Sequence, residues 1–181
     1  MPRKPLHARR IEMGGFLRDD GLYEVEGRVT DTKPYDFVPH SGGDRVPAGT
    51  AIHDMGVCLA FDEQLIVAEV RTFTSASPYP ACHEGGRALQ SLRGMRIGSG
   101  WSREVRLRLG GARSCTHLME LLIPLATVAI QTLSDVRRKQ GERRDETGRP
   151  LKIDSCYAYG AEREIVRMRW PEFHRSPDES P

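Results

Sequence analysis

The sequence predicts one α+β domain, in which a small β-sheet comes first and helices follow. Three observations support this class. Apolar and polar residues alternate at 23–30, two apolar runs follow at 51–61 and 65–74, and a helical repeat occupies residues 116–139. Alternation with period two is typical of a strand with one solvated face, and apolar residues every three or four positions indicate a helix. A chain of 181 residues is long enough for one such domain with tails.

The sheet is expected to begin after an N-terminal arm. Residues 1–20 are basic, contain a Gly14-Gly15 pair and end in a turn sequence, so we expect them to form a basic arm. The runs 51–61 and 65–74 are separated by two acidic residues, which predicts a meander or hairpin. Leu65 to Ala68 is apolar on both faces, as is typical of a central strand.

The helices are expected after the break at Ser75 to Pro80. A short helix is predicted from near Cys82 to Gly94, although two internal glycines weaken it. Residues 104–109 alternate again, which leaves a further strand open. The long helix contains Pro124, which predicts a kink or a later start near Leu121.

These elements divide the chain into five segments. The arm 1–20 is followed by a single α+β metal-binding domain at 21–139. Residues 140–150 contain no apolar side chain and predict a mobile linker. We expect residues 151–173 to dock on the core and residues 174–181 to form a disordered tail.

Composition limits the classes of function. The chain has 27 Lys and Arg against 25 Asp and Glu, a balance that argues against a nucleic-acid binder. No apolar run approaches the ~20 residues that cross a bilayer, and the basic start lacks the apolar region of a secretory signal. We therefore expect a cytoplasmic protein in which the four cysteines are not a disulfide framework.

Soft and ionisable side chains cluster at predicted element boundaries. His53 and Asp54 open a strand, Cys82 and His83 lie at a strand-to-helix turn, and Cys115 and His117 lie at the start of the long helix. Thiolate, imidazole and carboxylate groups together are ligands for Zn²⁺ or Fe²⁺. The sequence therefore predicts one divalent metal ion, with five candidate ligands: Asp54, Cys82, Cys115, His53 and His117.

Structural interpretations of the same residues stay open. Cys58 lies in mid-strand and is expected to be a packed core thiol, and Cys156 is also expected to be structural. Asp54 could cap a turn, and Cys82 and Cys115 could simply be packed. His53 and His117 could be ordinary hydrogen-bonding histidines, and His83 could replace one of them at the metal.

Four stretches carry a resemblance to a known family. Residues 31–35, 53–55, 77–82 and 114–118 resemble an uncharacterised bacterial family of domains of unknown function. The resemblance covers nearly the whole chain, from about residue 5 to 173. It implies no particular reaction.

A second resemblance concerns residues 51–137, which are similar to iron–sulfur scaffold proteins of the IscU/SufU type. It implies an antiparallel sheet of three or slightly more strands with helices packed on one face. It also places Asp54, Cys82 and Cys115 where the scaffolds have ligands. Ile52 replaces a scaffold cysteine, and Ser114 replaces a histidine found in some members. These departures imply a set of Asp, Cys, Cys and His for a single ion rather than a cluster.

Three functions follow from such a site. The first is a metal-dependent hydrolase or lyase acting on a small molecule, with aromatic compounds as one option; His117, His83 and Tyr35 are its catalytic candidates, and Tyr79 and Arg87 would contact the substrate. The second is an accessory protein that carries metal or sulfur to a protein partner. The third is an interaction domain with a structural zinc ion. A homo-oligomer is compatible with each.

Overall fold

Four strands form one antiparallel sheet in the order in which they occur along the chain. They are β1 (Ala8–Leu17), β2 (Tyr23–Thr32), β3 (Ala51–Phe61) and β4 (Val67–Ala76). The computed structural model describes residues 1–40, 42 and 44–176. The α+β class and the antiparallel sheet are thus confirmed, with four strands where the resemblance implied three or slightly more.

The expected N-terminal arm is in large part a strand. Residues 8–17 form β1 and pair with β2 along their whole length, from Ala8 opposite Thr32 to Leu17 opposite Tyr23. Exposed residues at most positions of β1 explain why the sequence resembles an arm, since an edge strand needs little apolar surface.

The two faces of the sheet differ in character. In β2 every second residue from Tyr23 to Asp31 is buried, as the alternating pattern predicts. The same face of β3 buries Met55, Val57 and Leu59. The opposite face carries ion pairs such as Arg28 with Asp54 and Arg71 with Glu24. Only one face of the sheet is therefore covered by the core.

Two helices follow the sheet in the first part of the chain. Helix α1 (Trp101–Leu109) buries Trp101, Val105 and Leu109, which are spaced four residues apart. This helical spacing is not apparent when residues 104–109 are interpreted as an alternating strand. The expectation of a further strand there is wrong. Helix α2 (Thr116–Thr132) begins at Thr116 and contains Pro124, so the alternative start near Leu121 is also wrong.

Helix α2 covers the buried face of the sheet. It buries five apolar residues, spaced three or four apart: Leu118, Leu121, Leu122, Leu125 and Ala129. A Cβ added to Gly27 of β2 would lie 3.3 Å from the Leu125 side chain, so the helix packs close to this strand. Pro124 is exposed, which allows its ring to be tolerated within the helix.

The predicted helix from Cys82 to Gly94 is two short 3₁₀ segments, Pro80–His83 and Arg87–Leu92, separated by the two glycines. Leu89 and Leu92 are buried as expected. The residues that follow cover the outer edge of β4, since the amide of Gly94 donates to the Val67 carbonyl and the amide of Val67 donates to Met95.

The chain separates into two compact units, Met1–Ser134 and Asp135–Pro181. The sheet, α1 and α2 belong to the first. The second contains most of α3 (Ser134–Lys139), all of α4 (Glu164–Arg169) and a small buried cluster of its own: Ile153, Ala161, Val166 and Trp170. Residues 177–181, most of the expected disordered tail, lie outside the described residues. Across the described chain, no helix has the length and apolar character needed to cross a membrane.

Candidate metal centre

Asp31 and His53 are cross-strand neighbours at one end of the sheet. They face each other in the register of β2 and β3, and a β-bulge lies directly beside them, between Asp31 and Thr32. Bulges change the direction of side chains and are common next to functional sites. His53 Nδ1 lies 2.9 Å from Oδ2 of Asp31. Since a carboxylate only accepts, Nδ1 carries the proton and Nε2 is left available.

His117 is the third member of the group. It lies in the first turn of α2, and its ring centroid is 4.0 Å from that of His53, with the planes tilted by 36°. One potential ligand atom from each of Asp31, His53 and His117 lies within 4.8 Å of the other two. Bonds of ~2.0–2.2 Å place two ligand atoms of one ion at most about 4.4 Å apart, so small side-chain shifts would bring the three atoms within reach of a shared ion.

The carboxylate of Asp31 is buried and fully hydrogen-bonded. Oδ1 accepts from Arg9 Nε at 2.8 Å and contacts His7 Nε2 at 3.1 Å. Oδ2 accepts from Arg9 Nη2 at 2.8 Å and from His53. A carboxylate offers about four acceptor positions, so all of them are in use. A metal could bind Asp31 directly only if one of these partners moved away.

Two pKa shifts describe the electrostatics of the group. Burial by itself would raise the pKa of Asp31, but the hydrogen bonds and charge of Arg9, with His7 and His53, outweigh it and lower the pKa to about 2. Burial also lowers the pKa of His117, and the nearby His53 and Arg9 lower it further. At neutral pH the group therefore contains an ionised Asp31 and a neutral His117, the forms that bind metals.

Asp54 does not join His53. The two residues are adjacent in β3, and successive side chains of a strand point to opposite faces. Asp54 lies on the outer face, where its carboxylate accepts two hydrogen bonds from Arg28, at 2.7 and 2.6 Å. The prediction that Asp54 and His53 share an ion is therefore corrected: the aspartate beside His53 is Asp31.

The two predicted cysteine ligands lie outside the group, as far as the described residues extend. Cys115 precedes α2 and is half-buried, with its Sγ 3.6 Å from the Sδ of Met55. Its amide donates to the Gly85 carbonyl at 3.2 Å. Cys82 is half-buried within the 3₁₀ segment Pro80–His83. Their part in metal binding stays a prediction.

A cleft of about 280 Å³ lies at the same end of the sheet, and Tyr79, Tyr35 and Arg87 are not among its lining residues. His83 lines it, together with Ala51 and Ile52, which directly precede His53 in β3. Tyr79 is exposed and follows two of the lining residues, Ser77 and Pro78. Tyr35 is exposed, with the Lys33 ammonium 5.4 Å from its ring centroid, and Arg87 begins the second 3₁₀ segment.

Sequence reasoning missed Asp31, Arg9 and His7. A signal for Asp31 was present, because it continues the row of alternate positions 23, 25, 27 and 29 that forms the buried face of β2. A charged residue in such a row needs a partner. Arg9 and His7 had no comparable signal, since they belong to the segment that was taken for an arm.

Comparison with known proteins adds a family but no activity. A family model described as "Protein of unknown function (DUF2889)" matches residues 7–131. This confirms the expected likeness to a family of unknown function, over a shorter range than 5–173. No curated protein and no solved structure matches the chain. The likeness to IscU/SufU-type scaffolds stays a prediction.

Proposed function

The chain belongs to the DUF2889 family, and we propose that it is a metal-dependent hydrolase or lyase with its metal centre at Asp31, His53 and His117. The observation that carries the proposal is the meeting of two imidazoles and one buried carboxylate from three separate elements. Two histidines and a carboxylate are a ligand set of both catalytic zinc and non-haem iron(II) sites.

The two imidazoles are the primary ligands in this proposal. His53 Nδ1 and Asp31 Oδ2 lie 2.9 Å apart, so if Nδ1 gave up its proton the two atoms could bind one ion side by side. Ligand atoms must be deprotonated to bind a metal, so binding would release this proton. The lowered pKa of His117 favours the neutral ring that a metal requires.

Asp31 supplies the negative charge of the site. Arg9 binds both carboxylate oxygens, whereas His7 makes a single contact of 3.1 Å and has a side chain that is 43% exposed. His7 is therefore the partner that leaves most easily. Loss of the proton on His53 Nδ1 would free a lone pair on Oδ2, and departure of His7 would free one on Oδ1, so Asp31 could serve as the third ligand.

Three protein ligands leave positions for water or substrate, which favours catalysis over a structural role. A metal ion with an open position polarises a carbonyl group or lowers the pKa of bound water. A small substrate could bind in the cleft lined by His83, Ala51 and Ile52, whose volume of about 280 Å³ is just below the ~300–1,000 Å³ of typical ligand pockets. His83, which lines that cleft, is the candidate acid or base.

Metal content and cobalt spectroscopy test the proposal. Protein purified without a polyhistidine tag should contain about one equivalent of zinc or iron by elemental analysis. Titration with Co²⁺ should produce visible absorption bands from a nitrogen- and oxygen-ligated ion. His53→Ala and His117→Ala should each weaken the binding of Co²⁺ by at least about tenfold.

Matched variants separate the competing ligand sets. His40→Ala removes an exposed histidine outside the group and should leave metal binding unchanged. Cys115→Ala and Asp54→Asn test the ligands predicted from sequence, and retained metal in both would favour the Asp31 set. Full metal content in the His53→Ala, His117→Ala double variant would disprove the site. A bound ion without metal-dependent turnover of small esters or hydroxy acids would instead favour a carrier or structural role.

A further inference from the structure

Strand β1 leaves one edge of the sheet open. Among the described residues, the backbone hydrogen bonds of residues 8–17 belong to the ladder with β2. The first part of the opposite edge, β4, is covered, because Gly94 and Met95 pair with Val67 and the side chains of Gln90 and Arg93 donate to the carbonyls of Val70 and Ala68. A paired strand of ten residues without proline or lysine is an edge that another strand can extend.

The hairpin geometry identifies the groups that face outward. The amide of Arg18 donates to the Leu22 carbonyl, at 2.8 Å, so even-numbered residues of β1 point their backbone groups toward β2. Odd-numbered residues, from Arg9 to Leu17, therefore direct their N–H and C=O groups to the free edge. Even-numbered side chains lie on the outer face, and odd-numbered side chains lie on the face that α2 covers.

Exposed apolar residues occur at regular places along this segment. Leu6 is 62% exposed, Ile11 is 50% exposed and Phe16 is 48% exposed. Leu6 and Phe16 lie five residues to either side of Ile11. Arg10 and Glu12, both exposed and of opposite charge, flank Ile11 directly. Leu6 and Phe16 are thus placed symmetrically about Ile11, and Arg10 and Glu12 carry opposite charges at equal distances from it.

This pattern complements itself in one antiparallel register. If Ile11 of one copy lies opposite Ile11 of a second copy, Arg10 of each copy lies opposite Glu12 of the other. The two-fold symmetry therefore produces two such pairs. Leu6 meets Phe16 of the second copy on the same outer face. Pairs of opposite charge and pairs of apolar residues directly across two strands stabilise a sheet. The Arg10–Glu12 and Leu6–Phe16 pairs would occupy the positions without mutual hydrogen bonds, where side chains are closest.

Neighbouring registers lack this match. A shift that pairs Ile11 with Met13 brings Glu12 against Glu12 of the second copy. A shift the other way pairs Ile11 with Arg9 and brings Arg10 against Arg10. Like charges directly opposite destabilise the pairing. Charge therefore favours pairing about Ile11 over the two neighbouring registers that keep the faces aligned.

We infer that β1 is the interface of a symmetric homodimer, in which two copies pair antiparallel through β1 about Ile11. The four-stranded sheets of the two copies join into one continuous sheet, with both α2 helices on the same face. The inference is independent of the metal, although the partner strand lies beside His7 and Arg9.

Charge reversal tests the register in the full-length protein. The wild-type protein should sediment as a dimer that dissociates on dilution. Arg10→Glu and Glu12→Arg each place like charges opposite one another at two symmetric positions, so each should raise the dimer dissociation constant by about tenfold or more. An equimolar mixture of the two variants should form a dimer of near wild-type affinity, because an acidic strand then meets a basic strand.

Controls exclude unfolding and general charge effects. Arg103→Glu reverses a charge that is 83% exposed on α1 and should leave the dimer unchanged. Thermal melting of each variant shows whether the fold is intact, which matters for Glu12 because it faces Arg28 in β2. A wild-type monomer at every concentration would overturn the inference. A dimer that tolerates both reversals, or a mixture that fails to reassociate, would also overturn it.

Discussion

Asp31 and Asp54 illustrate how one residue type takes two roles on neighbouring strands. Each forms a two-point ion pair with an arginine, Arg9 for Asp31 and Arg28 for Asp54. The side chain of Asp31 is 1% exposed, whereas Arg28 is 53% exposed beside Asp54. Water screens the outer pair, and the inner carboxylate depends wholly on its protein partners.

Matched substitutions of Asp31 and Asp54 should therefore lower the free energy of unfolding by different amounts. Asp31→Asn removes the negative charge and replaces one of the two acceptor oxygens by an NH₂ donor that faces other donors, and it should lower the free energy of unfolding by about 1–3 kcal/mol. Asp54→Asn should cost about 0–1 kcal/mol, because the pair is at the surface. Urea unfolding of the metal-free protein measures both values. Equal losses in the two variants would contradict the assigned burial.

Cys58 is predicted to be unreactive near neutral pH. Burial raises its pKa to about 11, the hydrogen bond from Arg71 lowers it in part, and Glu24 raises it again. The protonated thiol is thus favoured in the fold, and this stabilisation is complete below an unfolded pKa of about 8.5 and is lost as the pH rises toward 11.

Alkylation followed by peptide mass spectrometry tests this pH dependence. At pH 8, iodoacetamide should modify the exposed Cys156 and leave Cys58 of the folded protein largely unmodified. Labelling of Cys58 should increase as the pH approaches 11. Rapid labelling of Cys58 at pH 8 in the folded protein would refute the shift.

At the scale of elements, α2 is the most informative part of the chain. Its apolar spacing predicts the buried face correctly, from Leu118 to Ala129. The proline inside it does not stop the helix, because Pro124 is exposed and packing of the opposite face outweighs one lost hydrogen bond. The first turn of α2 is therefore helical, and His117 in that turn lies over β3.

Replacement of Pro124 should therefore stabilise the protein. Pro124→Ala restores the backbone donor to the Glu120 carbonyl and removes the clash of the ring with the preceding turn. We expect a gain of about 1–2 kcal/mol in the free energy of unfolding, after allowance for the more flexible unfolded chain. Thr127→Ala, also exposed in α2, is the control and should change stability by about 0.5 kcal/mol or less. A loss of stability in Pro124→Ala would show that the proline has a structural role.

At the scale of the whole molecule, the chain consists of two units whose hydrophobic cores differ in size. Each unit contains one of the two tryptophans. Trp101 donates from Nε1 to the Leu122 carbonyl at 2.8 Å, and Trp170 donates to Glu142 at 2.8 Å. Among its described residues, 135–176, the second unit has a buried cluster of four residues, so its independent stability should be low.

Single-tryptophan variants can follow each unit separately. Trp101→Phe leaves Trp170 as the reporter of the second unit, and Trp170→Phe leaves Trp101 as the reporter of the first. In urea, the fluorescence of Trp170 should change at a lower midpoint than that of Trp101. Coincident midpoints in the two variants would indicate that the chain unfolds as one cooperative unit.

The sequence by itself determined the periodic elements. Alternation at 23–30 and the repeat in α2 predict a strand and a helix because one solvated face is a local property of the chain. The edge strand β1 was not predicted, since an exposed strand has little apolar pattern to detect. The sequence leaves a strand open where α1 forms, because a short alternating segment also satisfies a four-residue spacing.

Only the tertiary structure decided which groups meet. Two histidines were identified from their place at element boundaries, but the carboxylate beside them is Asp31 rather than Asp54. The choice depends on which face of the sheet α2 covers and on the register between β2 and β3. Both are long-range properties, because a strand carries its side chains on two faces and nothing within the strand shows which face a later helix will bury.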